Sequence, residues 1–139
     1  MSKNDSAFVK VLGETPYIKV LDFLLAEGRV LDYSLTDIAK HTGVAWSTLH
    51  SVWPELVKLG IVTKTRTVGR SNLYRLNEEN PLVQILIKSD FLLSKFMVDI
   101  KRGKASFDSY VIDNEFKKLH EAVKGDVAWT LHPKVRNKL

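Results

Sequence analysis

Gly28, Gly43 and Gly60 each end a short helical segment in the first part of the chain, and this spacing constrains the fold more than any other feature. The first segment, TPYIKVLDFLLAEG, opens with Thr15 as a cap and Pro16 at the first helical position. Ile18, Leu21, Phe23, Leu24 and Leu25 then give it a wide apolar face. RVLDY reads as a short extended stub. SLTDIAKHTG follows with a capping box, Ser34 as cap and Asp37 three residues on, buries Leu35, Ile38 and Ala39, and ends at Gly43, which tolerates positive φ. A third helix begins near Ala45, with Leu49, Val52, Trp53 and Leu56 at the spacing of a buried stripe. Pro54 removes an amide from its interior, so a bend is expected near residues 50 to 54.

Beyond Gly60 the period changes. IVTKTRTV is rich in β-branched residues, GRSN is turn chemistry and LYRL is a second short run, which together predict a hairpin with its tip near Val68 to Asn72. ENPLVQILIKSDFLLSKFMVDI then reads as one long helix capped by Asn80 with Pro81 in its first turn. It is apolar on more than one side, which a solvent-facing helix of a monomer is not. Leu82, Ile85, Leu86, Leu93, Phe96, Met97 and Ile100 are its candidate dimerisation residues. Coverage by the C-terminal stripe of Ile112, Phe116, Leu119 and Val123 is the alternative. The expected class is mainly α with a small β-hairpin. The expected divisions are an N-terminal arm (1–14), a helical domain with a hairpin (15–80), a long helix (81–100) and a C-terminal segment (101–139) with a helix near 108–124.

Charge suggests a partner. The net charge is +5, and between Glu55 and Glu78 there is no acidic residue, whereas Lys58, Lys64, Arg66, Arg70 and Arg75 all fall in that window. An acid-free basic patch suits a polyanion, although a solvated face would carry the same residues. No apolar run reaches bilayer-spanning length, the start MSKNDSAFVK lacks the apolar core of a secretory signal, and there is no cysteine. A cytoplasmic, non-membrane protein is expected. His41, His50, His120 and His132 do not pair at metal-ligand spacing, and no nucleophile, base and oxyanion set can be assembled. The sequence therefore predicts no enzyme, no metal and no cofactor.

The stretch LTDIAKHTGVAWSTLHSVWPELVKLGIVTKTRTVGRSNLYRL resembles the winged helix-turn-helix of bacterial and archaeal transcription regulators, of the broad MarR-like and ArsR-like kind and most like small archaeal ones. The resemblance covers residues 15 to 78. It implies double-stranded DNA as partner, a homodimer, and two recognition helices about one turn of DNA apart. The residue pattern agrees: with Leu49, Val52, Trp53 and Leu56 facing the core, Trp46, Ser47, Thr48, His50 and Ser51 remain for the groove. Burial of Trp46 against the first helix is the competing placement. Arg70 resembles the wing arginine such families send toward the minor groove, and Lys64, Arg66 and Asn72 are candidates for phosphate. Two rival readings stand beside this one: a winged helix used as a protein-interaction module of a transcription, replication or partition complex, and a sequence-independent architectural DNA binder. A small-molecule effector is left open.

Overall fold

The computed structural model describes residues 6–103 and Glu121. The chain divides into two compact units, Met1–Met97 and Val98–Leu139. The helix expected near 108–124 lies outside the described residues. The order is α1 (Ala7–Leu12), α2 (Pro16–Glu27), α3 (Leu35–Thr42), α4 (Trp46–Lys58), β1 (Val62–Val68), β2 (Ser71–Leu76) and α5 (Pro81–Lys101). The described part is thus mainly helical with a two-stranded antiparallel hairpin.

Every described helix except α4 starts where its sequence offers a side-chain acceptor. Thr15 accepts from the Ile18 amide at 3.3 Å and Ser34 accepts from the Asp37 amide at 3.2 Å, while the Ser34 hydroxyl donates to the Asp37 carboxylate at 2.9 Å. Gly43 closes α3 in the left-handed conformation at φ 72°. The N-terminal segment departs from the expected arm. From Ser6 onward it is a capped helix, with Phe8 and Val9 buried and the Ser6 hydroxyl donating to Asp22 of α2 at 2.6 Å. An isolated six-residue helix is too short to persist. Its order comes from burying Phe8 in the core shared with Val20, Leu24 and Val83, a contact no local pattern announces.

Leu24, Ile38, Leu49, Leu56 and Ile61 are fully buried at the centre of that core. The stub after α2 joins the sheet: Tyr33 and Tyr74 exchange both backbone hydrogen bonds at 2.8 Å, and the Leu76 amide donates to the Gly28 carbonyl at 2.7 Å. β2 therefore runs between the stub and β1. α4 continues from Trp46 to Lys58 across Pro54, which lies on the exposed side, so the His50 carbonyl it leaves without an amide can take a hydrogen bond from water.

One side chain couples the end of the core to α5. Asn80 accepts from the Leu82 amide at 3.0 Å and donates to the carbonyls of Leu59 and Gly60 at 2.9 and 2.8 Å. It thus caps α5 and pins the turn after α4 at once. Asn80→Ala is expected to cost about 1–2 kcal/mol, read as a lower urea midpoint at unchanged m-value, because it removes a cap and the donor to the Leu59 carbonyl together, while the Gly60 carbonyl keeps the Asn77 side-chain amide.

Candidate nucleic-acid interface

The outward face of α4 is built by what its inward face must bury. Ala45, its extended N-cap residue, offers no side-chain acceptor. The preceding turn is held instead by buried Thr42, whose hydroxyl donates to the Ile38 carbonyl at 2.7 Å and accepts from the Val44 amide at 3.2 Å. With Leu49, Trp53 and Leu56 turned inward, Trp46, Ser47, His50 and Ser51 are exposed and Thr48 is half-buried. Trp46 keeps 56% of its surface, which removes the placement against the first helix. One turn later His50 lies against it, ring centroids 3.7 Å apart and planes tilted by 43°. Ser51 donates back to the Ser47 carbonyl at 3.2 Å, so its hydroxyl serves the helix first.

The hairpin turns through Gly69, at φ 60°, and Arg70, whose φ is not positive; glycine first of two loop residues is the II′ pattern that suits strand twist. Behind the tip, Thr67 donates to the Asn72 side-chain oxygen at 3.0 Å, leaving the Asn72 amide nitrogen as a donor. The tip and the two helices meet around a shallow cavity of about 220 Å³ whose lining includes Trp46, His50, Arg70, Asn72 and the start of α3. No carboxylate lines it. Among the described residues Arg70 has no ion-pair partner.

Lys64 and Arg66 are elsewhere. Strict alternation from buried Val62 puts both on the core side of the sheet, but a β-bulge interrupts the register, pairing Lys64 with Tyr74 and Arg66 with Leu73. Asn72, Tyr74 and Leu76 share the core face of β2, as Leu76 is buried and the Tyr74 ring sits 5.0 Å from that of Trp53. Opposite Leu73, Arg66 therefore lies on the outer face. There its Nε and Nη2 donate to the two oxygens of Asp32 at 3.0 and 3.2 Å, and Thr65 donates to the same carboxylate. The Arg66 guanidinium, followed by the Thr65 hydroxyl, holds Asp32 below the usual carboxylate range, and the same pairing raises Arg66. Lys64 lines a separate cavity with Thr63, Arg75 and Asp32.

The residues of α5 also divide. Leu86 and Leu93 are half-buried and pack on the core of their own unit. Leu82, Ile85 and Ile100 are exposed, Phe96 and Met97 half-buried, and Phe91 is exposed as well. The stripe had looked uniform because α5 needs apolar residues on its core side, and sequence period alone does not say which side that is.

Residues 18–66 match the family model of the IclR helix-turn-helix domain, a span that holds nearly all of α2, then α3 and α4, and β1 as far as Arg66. This segment is similar to an IclR-type helix-turn-helix domain. With the hairpin after it, the helix-turn-helix is winged, its first helix being α3 and its second α4. No curated protein matches the chain. Among solved structures, a Mycobacterium tuberculosis MarR family protein in complex with p-aminosalicylic acid superposes with a TM-score of 0.43 at 22% identity, over 86% of this chain and 85% of that one.

Four residues around these sites were not singled out as site residues by the sequence reading. Leu35 and Thr36 of α3 line the cavity beside Trp46, and the capping box at Ser34 was the signal that a helix start stood there. Tyr74 lines the cavity through its place on β2, for which strand alternation was the only hint. Asp32 had no local signal, being 34 residues from the arginine it meets.

Proposed function

We propose that this chain is a DNA-binding transcription regulator that lays α4, from Trp46, in the major groove and sets the wing tip at Arg70 on the minor groove or its phosphates. The observation that carries this is the convergence of Trp46, His50, Arg70 and Asn72 around one cavity free of carboxylates, on a helix-turn-helix of a DNA-binding type. Ser47 and Thr48 reach base edges, where short hydroxyls permit close approach. Trp46 presses on sugar or a thymine methyl, and amides at the start of α4 donate to a phosphate. Lys64 adds a peripheral phosphate contact. Affinity comes from the cations and specificity from the helix.

We further propose a homodimer through the exposed apolar residues of α5, Leu82, Ile85 and Ile100, with Phe96 and Met97 at its edge. Two copies present two recognition helices, and a palindromic site follows.

Selection from a random duplex pool followed by footprinting tests partner, specificity and half-site spacing together. Arg70→Ala is expected to weaken binding and flatten the log-log salt slope by about 0.9, one phosphate's worth. Substituting Ser47 and Thr48 relaxes sequence preference more than affinity. A pool that enriches nothing, with R70A binding like the parent, sinks the reading. The protein-interaction alternative has one observation in its favour: α4 carries no positive charge before Lys58, while the Trp46 ring stands exposed. A solution mass by light scattering, with a pull-down, separates the two.

A further inference from the structure

Arg66 looks in sequence like the natural partner of Arg70 in gripping phosphate, yet its charge is already answered. Three features set that arrangement. The bulge at Thr65 turns Arg66 to the outer face, away from the cavity at Trp46. The contact is a fork, with Nε and Nη2 each donating to a separate oxygen of one carboxylate, which is the geometry a phosphate would take from arginine. The acid is also the anchored member of the pair. Asp32 adjoins Tyr33, whose backbone is bonded to Tyr74 and whose ring packs against Phe23 and His41 at centroid distances of 5.0 and 5.7 Å. The Asp32 side chain is 18% exposed and that of Arg66 63%. The arginine could swing to a duplex; the carboxylate cannot follow it.

We infer that Asp32 is an internal stand-in for a DNA phosphate, a positioning residue that withholds Arg66 from the duplex and leaves Arg70 as the working arginine of the wing. The inference rests on the DNA-binding reading. Exposed ion pairs are weak in water, so this one acts by competition: a phosphate that recruits Arg66 must first displace Asp32, and no counterion is released from a cation already neutralised. Thr65, which donates to both Asp32 and the Leu73 carbonyl, keeps the carboxylate seated on the bulge.

The test measures binding of the full chain to a mixed-sequence duplex several helical turns long by fluorescence anisotropy, between about 50 and 200 mM salt. Asp32→Asn preserves shape and the acceptor for Thr65 but removes the charge. It is expected to steepen the log-log salt slope by about 0.9, so that its affinity relative to the parent falls about 3.5-fold across that range. Arg66→Ala alone is expected to leave the slope unchanged, and the double variant to return to the parent slope. Flattening by about 0.9 in R66A alone overturns the inference, because Arg66 would then already be on phosphate. Weaker binding by D32N at unchanged slope also overturns it, leaving Asp32 a mere prop for the hairpin. The DNA-binding reading fails differently: the parent binds no duplex, or R70A binds as the parent does, and the inference falls with it. A readout without DNA accompanies these. The Asp32 carboxyl carbon, followed by NMR, should titrate at higher pH in R66A than in the parent, and an unmoved midpoint removes the pair itself.

Discussion

Replacing Trp46 by alanine is expected to weaken duplex binding by tenfold or more, on the order of 1–3 kcal/mol, while leaving the stability of the fold within about 0.5 kcal/mol of the parent. The asymmetry follows from where the ring is. Its surface is 56% exposed, and its ring contact is with His50, itself exposed, so truncation opens no cavity in the core. In a groove the same ring would be covered on its free side, beside Ser47 and across the cavity from Arg70 and Asn72. Anisotropy titration against a selected duplex, with a thermal melt on the same sample, reads both quantities. An unchanged affinity removes Trp46 from the interface. A lowered melting temperature shows instead that the ring supports the fold. His50→Ala separates the two members of the stack, since it should lose part of the affinity by leaving Trp46 free to rotate.

Leu56→Ala should behave in the opposite way. Leu56 is 0% exposed in the cluster that joins α4 to Leu24, Ile38 and Ile61, and deleting its branched end there leaves a cavity that rigid neighbours on α2 and α3 cannot fill. The expected cost is about 2–5 kcal/mol, a large share of the 5–15 kcal/mol typical of a domain. The denaturant midpoint drops while the m-value holds. The folded fraction that remains should bind duplex with the parent's salt slope, because no phosphate contact has been touched. A change in slope would mean that α4 shifts when its core side is emptied, and the recognition face with it.

These two residues, ten positions apart on one helix, show how much of the interface was readable beforehand. The stripe of Leu49, Trp53 and Leu56 follows from helical period and apolar content, and once it is assigned the outward face follows by subtraction. The hairpin and its tip were equally legible, since glycine at the first loop position selects the turn that strand twist requires. Local acceptors marked the starts of α2 and α3 for the same reason: Thr15 and Ser34 act within three residues of themselves.

What failed to show in sequence depends on partners distant along the chain. The helix Ala7–Leu12 exists because Phe8 finds Val20, Leu24 and Val83, and nothing in six residues could announce that burial. The division of α5 into Leu86 and Leu93 on its own core and Ile85 in the open needed the rest of the unit in place. Arg66 is the sharpest case. Alternation sets it beside Lys64 on one face, and only a single unpaired residue in the folded ladder turns it outward to Asp32. Sequence by itself determined helices α2 to α5, the inward faces of α2 to α4, the hairpin and a basic window free of acids, because period, capping and charge are local properties. Tertiary structure alone decided which of those charges remain available, because neutralisation depends on what the fold brings within hydrogen-bond reach.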